Sequence, residues 1–400
     1  MTTPPIRKAT LAVTVSLLLF GKATSANNKI YDDLEISDNN RYYHEQLSFN
    51  DVVEPTTSPQ RSINIPANTF ALSPSLRAGL AHAARYLQSQ NPNRTVAKRG
   101  LNIPNRTLSQ TLNKLLNWGD AIHPQSLQQH FDLIPLSNKQ SQNSKFTGYY
   151  TPIIRARSKP NAQFHYPIYR SPMSSRLRLL TRSQISSGAL NNRGLEVAWT
   201  DDPVGLFYMQ IQGSGVLEYD NGQRVPLQFD GSNERRFRSP SDFMQSRGLI
   251  SGNLGRDRIQ KWLYANPAYL EPVLNSNPRY VYFKPAYGHV VTASGMPITP
   301  GHSVAVDTDY IPFGSIILAE VPIINSRGQT LGAEWKILLP QDRGIAIKGP
   351  ARMDIYTGKG EQARQIANQL TGYGRAFILL NRSNTQLTQY HATDLPYPTM

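Results

Sequence analysis

The sequence predicts a mainly β fold with some α-helices, organised in two domains. The chain has 400 residues, enough for two domains, and its 39% hydrophobic and 17% charged residues are typical of a globular protein. Short strand-like runs dominate the last third, and many short strands with few helices favour a barrel. These runs are 303–307, 315–321, 335–339, 345–347, 353–356 and 375–380, with a helix at 360–370.

Residues 1–26 have the pattern of a secretory signal peptide. Arg7 and Lys8 precede a largely apolar run at 11–20, and Thr24-Ser25-Ala26 offers small residues for cleavage. An uncleaved anchor is the alternative, but the run is shorter than the roughly 20 residues that span a bilayer. No second run of that length follows, so we expect a soluble mature chain without an integral membrane segment.

Two polar stretches frame the predicted fold. Residues 27–70 lack periodicity and are rich in Asn, Asp, Ser, Thr and Pro, which predicts a flexible lead-in. Residues 386–400 form a tail. We therefore expect the folded part of the chain to lie between them.

Charge and cysteine content limit the partners. The formal net charge is +15, which favours attraction to a polyanion. The basic residues are scattered and accompany no nucleic-acid-binding motif, so we expect no nucleic acid partner and favour an acidic wall polymer. A solvated basic face without a ligand is the alternative. The chain has no cysteine, which excludes disulfides, cysteine-liganded metals and a cysteine nucleophile.

Two amphipathic helices are predicted after the lead-in. Ser73 and Pro74 form an N-cap and first-turn pair, and Thr107 with Gln110 forms a capping box before a second helix. Their apolar stripes fall at 76, 80, 83 and 87, and at 108, 112, 115 and 116. We expect these stripes to face the core.

The block FTGYYTP at 146–152 predicts a strand that Pro152 ends. Its alternation places Thr147, Tyr149 and Thr151 on one face. Tyrosine rings stack on sugar rings and threonine hydroxyls bond their edges, so this face suits a carbohydrate. A packed strand of ordinary β-formers is the alternative.

The region 153–283 is predicted to be β-rich. Its strand-like runs are 166–169, 195–199, 206–209 and 215–219, followed by a hairpin turn at Asp220-Asn221-Gly222. Residues 259–274 predict one or two short helices broken at Pro267 and Pro272.

The block QIQGSG at 210–215 is the second candidate binding element. We expect Gln210 and Gln212 on one strand face, followed by Gly213 and Ser214. Such amides suit N-acetyl groups and hydroxyls, and glycines permit close approach. A bulged strand with solvated glutamines is the alternative.

The segment 341–360 contains the carboxylates on which the functional prediction depends. Apolar and polar residues alternate at 353–356, so Asp354 points away from its apolar neighbours. Desolvation raises the pKa of such a carboxyl, as a general acid working near neutral pH requires. Asp342 lies twelve residues earlier, across a predicted buried strand at 345–347. Capping of turns by both aspartates is the alternative.

A third aspartate completes a family resemblance. Asp307 is followed by Ile311-Pro312-Phe313-Gly314, and AIKG stands at 346–349 between the other two aspartates. This pattern resembles the three-aspartate (3D) domain. With FTGYYTP and QIQGSG, in the expected order over roughly 146–381, the chain resembles the membrane-bound lytic murein transglycosylase A family.

The resemblance implies an architecture. A double-psi β-barrel domain would combine an N-terminal part with helices (71–152) and a C-terminal part (284–385). An inserted β-rich domain (153–283) would interrupt it, with a substrate groove between the two.

The resemblance also implies a reaction. These enzymes cleave the β-1,4 bond between N-acetylmuramic acid and N-acetylglucosamine, and form a 1,6-anhydro end without water. Asp354 would act as acid and then as base, Asp342 and Asp307 would support it, and Lys348 would orient a carboxylate, contact substrate or serve the structure. The expected partner is peptidoglycan, with other cell-wall enzymes as further candidates.

No cofactor or metal is expected. The histidines are dispersed, there is no HExxH, and His289 and His302 lack ligand-like spacing, so metal-dependent hydrolysis is the weakest rival. Two rivals stay open: a hydrolase using Asp342 with Asp354, and a murein-binding protein with weak turnover.

The chain departs from the family pattern in two respects. The best-known members are anchored through a lipidated N-terminal cysteine, which this sequence lacks, so we expect a soluble periplasmic form or one held to the wall or outer membrane by charge. Arg343 and Ile345 stand where the family commonly has small residues, which affects the expected shape of the groove.

Overall fold

The computed structural model describes residues 70–382, except 96–98, 100, 101, 120, 138–141, 253, 254, 289 and 326. The predicted signal peptide, nearly all of the lead-in and the tail lie outside these residues. Within the described ranges, no helix combines the length and apolar character that crossing a bilayer demands.

The N-terminal part contains helices that cover the main core. Its elements are β1 (Phe70–Ala71), α1 (Pro74–Gln88), α2 (Asn105–Leu116), β2 (Ala121–Ile122) and α3 (Pro124–His130). Helix α1 begins as predicted, with the Ser73 side chain accepting a hydrogen bond from the Leu76 amide. The capping box at Thr107 is wrong: Pro104 is the N-cap, its carbonyl accepts from the Thr107 amide, and Thr107 lies inside the first turn.

An eight-stranded sheet forms the centre of the described structure. In chain order its strands are β3 (Phe131–Pro135), β4 (Ser144–Thr151), β11 (Ser303–Ala305), β12 (Ile317–Ile324), β13 (Thr330–Asp342), β14 (Arg352–Lys359), β15 (Thr371–Gly374) and β16 (Ala376–Asn381). Their spatial order is β15-β4-β14-β11-β13-β12-β16-β3, so the hydrogen-bonded sheet has two ends. Its apolar face packs on α1 and α2 in one large core, and α10 (Gly360–Gln369) follows β14 as predicted.

The segment between β4 and β11 is β-rich with short helices. Its strands are β5 (Ile153–Ala156), β6 (Tyr166–Tyr169), β7 (Glu196–Thr200), β8 (Ser214–Tyr219), β9 (Arg224–Ser232) and β10 (Val281–Pro285). They form a four-stranded sheet, β10-β9-β8-β5, and the pair β6-β7. The predicted hairpin joins β8 to β9, with Gly222 at φ 78°.

The helices of this segment alternate with its strands. They are α4 (Ser175–Arg178), α5 (Arg182–Gln184), a π-helical turn (Ile185–Ala189), α6 (Pro203–Gln212), α7 (Pro240–Ser246), α8 (Arg256–Ala265), a 3-10 turn (Pro267–Tyr269) and α9 (Leu270–Asn275). The predicted break at Pro267 is confirmed. Pro272 breaks nothing, because it lies in the first turn of α9, where its missing N–H costs no helical hydrogen bond.

Two predicted strands are wrong. The run 206–212 belongs to helix α6, because Asp202 caps it through the Gly205 amide, Pro203 begins it, and Gly213 ends it at φ 78°. The run 345–347 is a loop in which the Ile347 amide donates to the Gly344 carbonyl. Glycines at both ends favour this turn over an extended strand.

Candidate active site

Asp354 lies on β14, between β4 and β11. It is in register with Thr147 of β4 and Ala305 of β11. The Thr147 hydroxyl donates to Asp354 Oδ1 at 2.6 Å. Within the described part of the chain this is the only hydrogen bond that the carboxyl makes, so Oδ2 is left for a ligand.

Burial raises the pKa of the Asp354 carboxyl above its ordinary value. The Thr147 hydrogen bond opposes this shift by stabilising the carboxylate, and so do the positive charges of Arg352 and Arg256. Burial is the larger effect. The carboxyl therefore holds its proton to a higher pH than an exposed aspartate, as donation to a leaving group requires.

Asp342 ends β13 on the other side of Ala305 and has a different environment. Its Oδ1 accepts from the amides of Ala293 (3.0 Å) and Arg343 (2.9 Å). Its Oδ2 accepts from the Tyr149 hydroxyl at 3.0 Å. Burial raises the pKa of Asp342, the three hydrogen bonds oppose the shift, and the charge of Asp354 adds to it.

Tyr149 connects the two strands that hold the aspartates. Its ring lies 5.2 Å from that of Tyr356, centroid to centroid. Burial raises the pKa of Tyr149 well above its ordinary value and that of Tyr356 to about 12, so both are neutral phenols. Thr151 is buried, with its hydroxyl 2.8 Å from that of Tyr356. Thr147 and Tyr149 are only half-buried.

Asp307 holds the loop that separates the other two aspartates. Its Oδ2 accepts from the Gly349 amide at 2.9 Å, and its Oδ1 accepts from the Asp309 amide at 3.2 Å. Lys348 precedes Gly349 and is exposed. Because Asp307 holds the backbone at Gly349, it also positions the neighbouring residue, Lys348.

The four predicted residues of the second block lie at the junction between the sheet and the intervening segment. Gln210 is buried and donates to the Val281 carbonyl at 3.2 Å. Gln212 accepts from the Tyr150 amide at 3.2 Å. Gly213 ends helix α6, and Ser214 begins β8 and is half-buried. The two side-chain amides thus lie on helix α6, where Gln210 bonds to β10 and Gln212 bonds to β4.

Three arginines near the site escaped the prediction of site residues. Arg352 lies two residues before Asp354 on the same strand face, a relation that the alternation contained. Arg256 begins α8, so no local pattern could place its charge near Asp354. Arg364 of α10 pairs with Asp257 and donates to Gln260 at 3.1 Å, which joins α10 to α8.

Among the described residues, no group of three or more His, Asp or Glu side chains could hold a metal ion. His302 lies with Nδ1 2.9 Å from the Ile337 carbonyl oxygen, and burial lowers its pKa. His289 lies outside the described residues.

Comparison with known proteins identifies the family. The MltA specific insert domain matches residues 145–284, and the 3D domain matches residues 302–380. The membrane-bound lytic murein transglycosylase A of Vibrio cholerae is 34% identical over 250 residues, 61% of this chain and 67% of that protein. This chain belongs to the membrane-bound lytic murein transglycosylase A (MltA) family of enzymes. The resemblance drawn from the motifs is thereby confirmed.

Further relatives and solved structures agree with this assignment. The Escherichia coli K12 member is 36% identical over 244 residues, 59% of this chain and 66% of that protein. The alignments thus span about two thirds of the length of these relatives. The crystal structure of E. coli MltA with bound chitohexaose superposes with a TM-score of 0.69, at 28% identity, over 84% of this chain and 97% of that one.

An Agrobacterium tumefaciens membrane-bound lytic murein transglycosylase superposes with a TM-score of 0.64, at 25% identity, over 77% of this chain and 92% of that one. The shared fold is a mixed arrangement of sheets and helices, as in the structure described above.

Proposed function

We propose that this chain cleaves the β-1,4 bond between N-acetylmuramic acid and N-acetylglucosamine in peptidoglycan and leaves a 1,6-anhydromuramic end. The observation that carries the proposal is the state of Asp354. It is a half-buried carboxyl with a raised pKa, one oxygen held by Thr147 and the other open to a ligand. Such a group can donate a proton and then accept one.

The reaction needs one carboxyl. Asp354 donates its proton to the glycosidic oxygen as the bond from that oxygen to muramic C1 breaks. The Asp354 carboxylate then takes the proton of the muramic C6 hydroxyl as O6 bonds to C1. Asp354 ends protonated, and no water is consumed.

The hydrogen bonding of Asp342 favours this route over a two-carboxylate hydrolase. A nucleophile or general base needs a lone pair directed at substrate or water. Asp342 already accepts three hydrogen bonds, from Ala293, Arg343 and Tyr149, whereas one oxygen of Asp354 accepts none within the described part of the chain. We assign Asp342 to holding Tyr149 and the start of the following loop, and Asp307 to holding the end of that loop at Gly349.

We assign the predicted binding residues to sugar contact or to positioning according to the exposure of their side chains. We assign direct sugar contacts to Thr147, Tyr149, Gln212, Ser214 and Lys348, each at least partly exposed. Thr151, Gln210 and Gly213 are assigned to positioning, because Thr151 and Gln210 are buried and Gly213 ends a helix. Chitohexaose bound to the E. coli relative supports a glycan ligand.

We infer that the groove lies between the large sheet and an inserted domain at 153–283. The Tyr150 amide donates to Gln212, and Arg364 donates to Gln260, so the two parts meet beside β4 and α10. The proposed double-psi barrel is supported by the end of the β12–β16 pairing, where the Glu320 amide donates to the carbonyl of Arg375, the residue that follows β15. The names of the relatives and the net charge of +15 support an envelope location, in the periplasm or at the outer membrane. Association with other cell-wall enzymes stays a prediction.

Mass analysis of the soluble products from purified murein tests the function, with the wild type and Asp354→Asn compared. We expect anhydro-muropeptides from the wild type alone. Products that contain an added water would establish a hydrolase. Murein binding without any product would establish a binding protein. Anhydro products from Asp354→Asn would show that another group is the acid.

A further inference from the structure

A row of side chains runs along the sheet beside Asp354. Arg352, Lys145 and Tyr373 are in register on the adjacent strands β14, β4 and β15. The row that contains Asp354 and Thr147 is displaced by two residues, about 6.6 Å along the strands. Because side chains two residues apart share a face, both rows face the same side of the sheet.

This second row combines positive charge with an exposed aromatic ring. The Lys145 Nζ lies 5.9 Å from the centroid of the Tyr373 ring, which is 57% exposed. Arg352 is half-buried, and within the described part of the chain its buried Nη1 has no hydrogen-bond partner. Its guanidinium adds a second positive charge to the row.

The row leads into an open depression of about 480 Å³. Asn143, Glu320, Thr330, Tyr373 and Arg375 are among its lining residues. The Arg375 Nε lies 2.7 Å from a Glu320 carboxylate oxygen, and the Arg375 guanidinium lies 5.1 Å from the centroid of the Trp335 ring. The ion pair is thereby held rigidly at one side of the depression.

The charges of this surface indicate its ligand. Arg375 and Glu320 offset each other as an ion pair, which leaves Lys145 and Arg352 as the positive charges of the row. Cations in excess favour a ligand with several carboxylates, and an acidic side chain beside them accommodates an ammonium group. A neutral sugar has neither charge. A short acidic peptide that also carries an amine has both.

We propose that this surface binds the peptide stem carried by the muramic acid whose bond is cleaved. The proposal rests on the proposed function, which places that sugar at Asp354. The peptide leaves the sugar ring toward the second row, passes Lys145 and Tyr373, and reaches the ion pair of Glu320 and Arg375. The surface therefore makes the enzyme favour peptide-bearing over bare glycan.

The test uses two forms of one murein, intact and stripped of peptides by an amidase. Release of anhydro products is measured for the wild type, Tyr373→Ala and Lys145→Ala. We expect the wild type to release anhydro products roughly tenfold faster from intact murein than from stripped glycan. Stripped glycan lacks the peptide, and the loss of about one charged contact accounts for a factor of this size. Each variant should lose that preference through a slower rate on intact murein, with less than about a twofold change on stripped glycan.

Lys159→Ala is the matched control, because Lys159 is exposed on the intervening segment beyond β5. Equal losses on both polymers, or no preference in the wild type, would overturn the proposal. The thermal unfolding temperature of each variant shows whether a loss of rate comes from a destabilised fold.

Titration calorimetry with the released free tetrapeptide separates this proposal from the function. If neither polymer yields products, the transglycosylase function fails, yet peptide binding that Lys145→Glu abolishes would still support the surface. Cleavage of intact murein without a preference, together with no tetrapeptide binding, would reject the surface alone.

Discussion

Asp342 and Asp354 are two half-buried aspartates that flank the same residue, Ala305, on opposite sides of β11. Burial raises the pKa of both. Counted over the residues that the structure describes, Asp342 accepts three hydrogen bonds and Asp354 accepts one. The difference teaches that burial alone does not make a catalytic acid. A free oxygen is also needed, and the distribution of donors around the two carboxyls decides which one has it.

The largest expected effect comes from Asp354→Asn. An amide of the same shape keeps an acceptor for Thr147 but cannot donate and accept the catalytic proton, so the rate of anhydro-product release should fall by about 10²–10⁴. The rate of the Asp342→Asn variant should fall by less, because Asp342 touches no reacting atom in the proposed mechanism. Initial rates on purified murein measure both. A larger loss for Asp342→Asn would reverse the assignment of the two carboxyls.

The next effect concerns stability. Asp342→Ala leaves the Ala293 amide, the Arg343 amide and the Tyr149 hydroxyl without their acceptor. We expect the free energy of unfolding to fall by about 2–4 kcal/mol, and Tm by roughly 5–10 °C. Calorimetry measures the change, and Asp342→Asn, which keeps one acceptor oxygen, is the control. An unchanged Tm for Asp342→Ala would contradict the structural role.

A smaller effect is expected from Tyr149→Phe. It removes the hydroxyl that donates to Asp342 and retains the ring that packs on Tyr356. The lost hydrogen bond to a carboxylate should lower the free energy of unfolding by about 1.5–3 kcal/mol and the rate by roughly tenfold. Tyr287→Phe, at a fully exposed tyrosine, is the control. If the variant kept the wild-type rate, Tyr149 would have no part in the site.

The smallest effect is a pH-dependent gain in stability for Asp354→Asn. Because the pKa of Asp354 is raised on folding, the folded state binds this proton more tightly than the unfolded state. The ionised carboxylate therefore destabilises the fold above its folded pKa. That cost disappears as the pH falls through the folded pKa toward the unfolded value of about 3.9.

Tm measured across the pH range checks this linkage. Asp354→Asn should have a higher Tm than the wild type near pH 8, and the two curves should meet near pH 4. A constant difference at every pH would mean that the gain does not come from ionisation.

Predictability differed between the parts of the molecule. Alternation at 353–356 predicted both the strand and the side on which Asp354 lies, because the two-residue period of a strand is local. The same reasoning was wrong for 206–212. There the caps at Asp202 and Gly213 specify a helix, whereas the apolar run alone fits either structure. The caps were present in the sequence and would have decided the question.

By itself the sequence determined the family, the three aspartates of its motif, the strand that carries Asp354 and the face on which Asp354 lies. Family motifs and alternation are properties of neighbouring residues, so they can be read along the chain. Only the tertiary structure decided that, among the described residues, Asp342 accepts three hydrogen bonds and Asp354 accepts one. It also placed Arg256 near Asp354, and Lys145 and Tyr373 beside Arg352. Apart from the bond between Asp342 and the adjacent Arg343 amide, these relations join residues from 21 to 207 positions apart, and hydrogen bonding and desolvation depend on distance in space.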